Sequence, residues 1–302
     1  MAIYEPPNFR PAFTEWIIGN GLLHEPMRVV DVGCQGGLQW RWKWLGEMFE
    51  AFAFDPLPEV IEALKAVNAA PARIHYSAVG LGARDGDRPF MRRDNSQGSY
   101  FLPESLSEAE LPHDAEGRLT GGWATAPVRK LDTLIPQGGS IDHIKLDCEG
   151  LEIDALLGAE HILKTNGVFA VECESNLKLN PQHTPCHLVD LYRLLGPLGF
   201  DLYDLYYYRD TRAPFAGGYP RRGRPDTFDL LFLRGAGESE DLSSRSVDHL
   251  IKMAIIAELY ALQDVAASIV ARAAERLATR LDTEKAIALL RESYEACPAE
   301  GL

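Results

Sequence analysis

The chain has 302 residues, of which 46% are hydrophobic and 25% charged, so it can bury a sizeable core and is neither disordered nor fibrous. That length suits one large domain, or one domain with an addition, at about 100–200 residues per domain. Thirty basic residues against 44 acidic ones give a formal charge of −14, which speaks against a nucleic-acid-binding face, because neutralising phosphates needs a basic surface. No run of apolar residues is long enough for a membrane span, and Met1 to Pro7 lacks the basic start and apolar stretch of a signal peptide. The five cysteines, Cys34, Cys148, Cys173, Cys186 and Cys297, are scattered without a Cys-x-x-Cys pair. They predict neither a disulfide framework nor a zinc site, and they suit a reducing cytoplasm.

In chain order, Phe13 to Leu22 predicts a short helix, and Arg28 to Gly33 a buried strand ending in a turn. Residues 37–49 predict a helix, on which Trp40 and Trp44 share a face that packs on a sheet. Ala51 to Phe54 is a second strand ending at Asp55, Pro58 to Val67 a helix, and Arg73 to Tyr76 a third strand. Strand, helix, strand, helix, strand is the order of a parallel α/β sheet. Asp85-Gly86 signals a turn before Arg88 to Met91, and residues 94–123 are polar and read as a loop beside the site. Ala126 to Lys130 restores order. His143 to Leu146 is a strand ending at Asp147, residues 151–164 a helix, and Val168 to Val171 a strand ending at Glu172. Leu188 to Leu198 is helical, and Asp201 to Tyr208 and Thr227 to Leu233 alternate like antiparallel strands that close the sheet.

Residues 234–246 read as a linker. From Val247 to Leu281 there is no Pro or Gly, which predicts one long helix of roughly 50 Å at about 1.5 Å per residue. Ile255, Leu259, Leu262, Ala266, Ile269 and Ala273 form a narrow apolar seam on it. With a second helix carrying Ile287, Leu290 and Tyr294, residues 247–296 suggest a helical hairpin. It would serve homodimerisation or partner docking, or would pack on the catalytic domain instead.

Asp31-Val32-Gly33-Cys34-Gln35-Gly36-Gly37 follows the first strand, and Asp55 ends the second, 22 residues after Gly33. In a doubly wound sheet, ligands sit at such strand ends, where Gly33 allows a sharp turn and Asp55 can accept ribose hydroxyls. A dinucleotide needs a small second glycine beside its pyrophosphate, and here Gln35 stands there. Gln35 suits a ligand without phosphate, and Asp31 suits one carrying a sulfonium and an ammonium. The chain also has no Tyr-x-x-x-Lys pair. S-adenosylmethionine therefore fits this motif better than a dinucleotide.

The run Ile141-Asp142-His143-Ile144-Lys145-Leu146-Asp147-Cys148-Glu149-Gly150-Leu151-Glu152, continuing to Ala155-Leu156-Leu157-Gly158-Ala159-Glu160, is the longest motif. With Leu131-Asp132-Thr133-Leu134, Asp31-x-Gly33-x-x-x-Gly37 and Ala78-Val79-Gly80, it resembles the FkbM family of S-adenosylmethionine-dependent methyltransferases, over about residues 28–175 and more thinly to 234. Cys148 departs from the small aliphatic residue usual in that family. The resemblance implies a class I methyltransferase (Rossmann-like) fold, a seven-stranded α/β sheet with the last strand antiparallel. Residues 1–236 would form that domain, and 237–302 a linker and C-terminal α-helical appendage. It implies methyl transfer to a hydroxyl of a small molecule or saccharide. Asp31, Gly33, Gln35 and Gly37 would hold the methionine end, Asp55 the ribose, and Ala78 and Val79 the adenine.

An acceptor hydroxyl must lose its proton, so a base or a metal is expected. Asp147, Glu149 and Glu172 are the catalytic candidates. Asp147, Glu172 and Glu174 form a candidate oxygen-ligand set for Mg²⁺. His183 and His187 are alternative bases or surface residues, and Glu149 and Glu152 are alternatively helix-start acids. Arg221, Arg222 and Arg224 would meet an anionic acceptor or form a solvated loop. The competing readings are a dinucleotide-dependent oxidoreductase and an inactive methyltransferase-fold interaction protein.

Overall fold

The computed structural model describes residues 9–68, 73–94, 98–102, 107–135, 140–165, 167–176, 186–210, 224–237 and 240–296. Three strands come first: β1 (Met27–Val32), β2 (Phe49–Phe54) and β3 (Ile74–Ser77). The strands β4 (Gly80–Leu81), β5 (Gly86–Met91), β6 (Tyr100–Phe101) and β7 (Trp123–Arg129) follow, and then β8 (His143–Leu146), β9 (Ala170–Asn176), β10 (Phe200–Asp210) and β11 (Arg224–Arg234). The main sheet has seven strands in the order β10-β11-β9-β8-β1-β2-β3. The pairs from β3 to β9 are parallel, and β11 runs antiparallel between β9 and β10. This is the expected sheet. Its topological switch lies between β1 and β8, where the chain returns after β3 to the other side of β1.

The polar stretch 94–123 is more ordered than expected. Its described part contributes β6 and a short 3₁₀ turn at Glu108–Glu110, while β5 pairs with β6 and β7 in a second, four-stranded sheet beside the first. Phe90 and Phe101 meet there at 4.8 Å and carry a small core of their own with Val128 and Leu151.

The helices are α1 (Ala12–Gly19), α2 (Pro58–Val67), α3 (Leu131–Leu134), α4 (Glu152–Leu157), α5 (Glu160–Lys164), α6 (Leu188–Leu195), α7 (Val247–Leu259), α8 (Gln263–Arg272), α9 (Ala274–Leu277) and α10 (Thr283–Glu295). Among the described residues, no helix is long and apolar enough to cross a membrane. The predicted helix 151–164 is two short ones, divided at Gly158 and Ala159. Gly158 lies so close to Gly82 that a Cβ there would stand 2.1 Å from its carbonyl oxygen. The predicted helix 37–49 is a six-residue 3₁₀ turn, Trp40–Leu45, because β2 already begins at Phe49. Trp42 packs inward against Phe49 and His143.

Alternation along the strands divides the core. Val30, Val32, Ile144, Leu146, Val171 and Phe232 face α4 and α6. Met27, Val29, Ala51, Ala170, Leu231 and Leu233 face α1 and the C-terminal helices. The single helix predicted over 247–281 is three helices. The first break falls at Ala261, which takes a left-handed φ of 58° although it is not glycine, so no Gly or Pro marked it. The seam residues Ile255, Leu259, Ala266, Ile269 and Ala273 are buried in the same core as the sheet. The face that suggested docking of a second chain is therefore covered within this one.

Polar contacts tie the two ends of the chain together. Pro11 precedes α1 and offers no capping side chain. Glu258 of α7 takes that role, accepting from the backbone N–H of Phe13 and Thr14 at 3.0 and 2.7 Å and from the Thr14 hydroxyl at 2.6 Å. Ser293 of α10 donates to Glu258 and accepts from Ala12 N–H. If α7 is core, Ile255→Ala should cost about 2–5 kcal/mol of unfolding free energy, measured by urea titration of the full chain. A loss within error would place α7 outside the cooperative core.

Candidate active site

The main-sheet face that is apolar under α7 turns polar toward the carboxyl ends of the strands. Period-2 spacing puts Asp31 after Val29, Lys145 and Asp147 after His143, and Glu172 and Glu174 after Ala170 on one face. Lys145 sits among them. Its Nζ is 3.3 Å from Asp31 Oδ1, 3.4 Å from Asp147 Oδ2 and 3.4 Å from the Gly33 carbonyl. Burial works against its charge, but Asp31, Asp147 and Glu172 hold the ammonium protonated above its ordinary range. Burial pushes Asp31 up to about 6, against the pull of Lys145.

Beyond β1 the chain turns at Gly33, with φ of 76°. A Cβ at Gly33 would stand 1.8 Å from the carbonyl oxygen of Asp147, so only glycine lets the ends of β1 and β8 approach this closely. Asp55 follows β2 and accepts from Leu57 N–H at 2.9 Å, and burial raises it to about 6. A cavity of about 590 Å³ opens over these strand ends. Its walls include Gly33, Gln35, Gly37, Gln39, Asp55 and Val79 from the first half of the sheet, and Lys145, Asp147, Glu149, Glu174, Thr227 and Asp229 from β8, β9, β11 and the turn after β8. Phe90, Ser99 and Phe101 of the small sheet region also line it.

Of the seven residues expected to hold the cofactor, Gly33, Gln35, Gly37, Asp55 and Val79 line the cavity. Asp31 lies beneath it, buried against Lys145, and Ala78 packs toward Cys34, Ala53 and Ile61. Of the catalytic candidates, Asp147 and Glu149 line it. Glu149 stands before α4, not within it, with a left-handed φ of 55°. Burial, with Asp147 and Glu152 nearby, pushes its carboxyl up to about 7. Glu152 has the helix-start role instead. It is buried and accepts from Cys148 N–H and Gly150 N–H at 3.0 and 3.2 Å.

Glu172 corrects an expectation. β9 continues past it to Asn176, so it lies mid-strand rather than at a strand end. Both of its oxygens accept from Gln39 Nε2 at 2.8 Å, and Oε2 also accepts from the Tyr260 hydroxyl at 2.5 Å. It does not line the cavity, and the set Asp147, Glu172 and Glu174 is not assembled. Among the described residues, no group of three or more His, Cys, Asp or Glu side chains is arranged to hold a metal ion. The donors expected for Mg²⁺ do not fit it.

His187 bonds the Asn176 carbonyl at 2.9 Å at the start of α6, away from the cavity walls. His183, Arg221 and Arg222 lie outside the described residues, and of Arg224 only the backbone in β11 is described. Sequence reasoning missed Lys145, Gln39, Thr227 and Asp229. Lys145 stood in the long motif and was legible as a charge inside a strand. The other three are brought in by tertiary contacts alone.

A model of the methyltransferase FkbM domain matches residues 31–185, just over half of the chain. The chain belongs to the FkbM methyltransferase family. An FkbM methyltransferase structure from Methylobacillus flagellatus is similar at 18% identity and a TM-score of 0.42, over 74% of this chain and 48% of that one. The chain thus spans about half the length of that FkbM structure. A putative tRNA (m1A22) methyltransferase from Streptococcus pneumoniae, in complex with S-adenosyl-L-methionine, matches at 11% identity and a TM-score of 0.37, over 93% of this chain and 97% of that one. An N-methyltransferase from Bradyrhizobium japonicum matches at 11% identity and a TM-score of 0.36, over 74% and 93%. No functionally curated protein matches the chain.

The carboxylates of this FkbM-family cavity make stability depend on pH. Burial, with Asp147, Glu152, Glu149 and Asp229 nearby, pushes Glu174 up to about 9. A carboxyl raised in the folded state binds its proton more tightly there than in the unfolded chain. Its contribution to stability is full below the ordinary carboxylate range and is lost as pH rises through about 9. Glu174→Gln should therefore lose less stability than the parent between pH 5 and pH 9, read as urea midpoints. An equal fall in both proteins would contradict the burial of that charge.

Proposed function

We propose that this FkbM-family chain is an S-adenosylmethionine-dependent methyltransferase that acts on a hydroxyl of a small molecule or saccharide. The observation that carries the reading is one cavity lined by two unlike sets of residues. The glycine turn after β1 and Asp55 after β2 make one set, and the carboxyl groups of Asp147, Glu149 and Glu174 make the other. When bound, S-adenosylmethionine supplies an electrophilic methyl group on a sulfonium.

The chain's own residues divide the work. Asp55 accepts from the ribose hydroxyls, with its position fixed by Leu57 N–H. Gly33 to Gly37 give the amino-acid end a wall without bulky side chains, and Val79 offers the adenine an apolar one. The acceptor oxygen is placed beside the carboxyl groups of Asp147, Glu149 and Glu174, so that orientation supplies much of the rate. Glu149 takes the hydroxyl proton. A carboxyl raised to about 7 is half ionised near neutral pH, and a base matched to the working pH transfers protons most effectively. Asp147, tied to Lys145 at 3.4 Å, orients the acceptor beside it.

A dinucleotide is less well served. Gln35 occupies the wall where the pyrophosphate would need a glycine, and the lysine of the lining, Lys145, is already engaged by Asp31 and Asp147.

Asp55→Ala should weaken S-adenosylhomocysteine binding by about 1–3 kcal/mol through lost hydrogen bonds, as measured by calorimetry on a folded variant. Unchanged affinity, or tighter binding of NAD than of S-adenosylhomocysteine by the parent, would end this reading. For catalysis, kcat/KM should rise with pH through about 7 as Glu149 ionises. Glu149→Gln should flatten that rise and lower turnover by about 10²–10⁴-fold with cofactor affinity kept. A profile of the same shape in the variant would assign the base elsewhere.

A further inference from the structure

Gln39 lies just before the 3₁₀ turn Trp40–Leu45, two residues after the glycine turn, and it lines the cavity with Gly33, Gln35, Gly36 and Gly37. Its Nε2 stands 2.8 Å from both oxygens of Glu172. The amide must face this way, because the reversed orientation would set a carbonyl oxygen against two carboxylate oxygens. Its Oε1 is buried without a hydrogen-bond partner among the described residues. The whole polar hold on this side chain therefore runs through Glu172.

Glu172 is held in turn from the far side of the fold. The Tyr260 hydroxyl, at the end of α7, donates to Oε2 at 2.5 Å. His143 Nε2 lies 2.6 Å from that hydroxyl oxygen. Burial, with Arg41 and Lys145 nearby, keeps His143 neutral well below its ordinary range. Since the tyrosine proton is committed to Glu172, Nε2 carries the imidazole hydrogen and donates it. Arg41 lies over the Tyr260 ring, 3.9 Å from its centre, and donates to the Leu259 carbonyl at 3.1 Å. The segment after the glycine turn is thus fastened to the end of α7 at two points. The family match, residues 31–185, stops well short of Tyr260.

We propose that Tyr260 is a positioning residue for the amino-acid end of the methyl donor, acting through Glu172 to hold Gln39 and with it the Gly33–Gly37 turn. The inference rests on the function proposed above, and it gives the C-terminal helices a part in that function. Ribose and adenine are met by Asp55 and Val79, which this chain of contacts does not reach. Loosening it should weaken only ligands that carry the amino-acid end.

The test compares S-adenosylhomocysteine with 5′-methylthioadenosine, which keeps the nucleoside and lacks the amino-acid end, by calorimetry on the full chain. Tyr260→Phe retains the ring under Arg41 and removes only the hydroxyl, while Gln39→Leu removes the other end of the link. Each should weaken S-adenosylhomocysteine about tenfold and leave 5′-methylthioadenosine within about twofold. The double variant should lose little more than either single one, because both act through Glu172. Thermal melting confirms that each variant is folded. Equal weakening of both ligands, no weakening of S-adenosylhomocysteine, or losses that multiply in the double variant would each overturn the proposal. If the parent binds neither ligand, the functional reading falls with it. If the parent binds both and only the selective loss is missing, this proposal alone falls.

Discussion

Lys145 carries a positive charge into the sheet with 12% of its side chain exposed, and an ammonium there is tolerable only between anions. Asp31 on β1 and Asp147 after β8 supply them, one on each side of the topological switch. The pair is more a constraint than a source of net stability, since desolvating such charges offsets most of their attraction, whereas removing one partner leaves the other stranded. What the constraint secures is register. β1 and β8 must stay level for Nζ to reach both carboxylates, and the same alignment brings Gly33 against the Asp147 carbonyl. The floor of the cavity follows from that contact.

On the same face, polarity changes within a few residues. Met27, Val29 and Ala170 lie under the C-terminal helices, whereas Asp31, Lys145 and Glu172 lie under the cavity wall. His143, Tyr260 and Glu172 form the boundary, with each hydrogen bond oriented by the next. A buried network of this kind is costly when partly satisfied, and here it joins the end of α7 to the chain after β1 through Glu172. The C-terminal segment therefore works at both ends of the molecule. Glu258 caps α1 from the same helix whose last residues reach Glu172.

Strands and their order were legible because period and composition are local properties. The strands expected at Arg28 to Gly33, Ala51 to Asp55 and His143 to Asp147 all end where expected, with an acidic or glycine residue at the cavity. Helix lengths were less legible. Residues 247–281 have no helix breaker, yet the chain turns at Ala261 because packing α8 back against α7 buries more apolar surface than a straight rod would. Among the site residues, Asp55, Gly33 and Glu149 stood in motifs. Glu172 also stood beside a motif, but its role was misjudged, because nothing near it in sequence says that Gln39 and Tyr260 will claim its oxygens.

The sequence by itself determined the class of fold, the glycine turn, the acid after each of two strands and the family to which the chain belongs, since these rest on spacing within short segments. Only the tertiary structure decided which carboxylates share the cavity. Lys145 draws Asp31 down and away from it, Gln39 and Tyr260 take Glu172, and the positive φ of Glu149 brings that side chain onto its wall. A carboxylate's role depends on which donors and charges meet it in space, and those donors come from segments far apart in the chain.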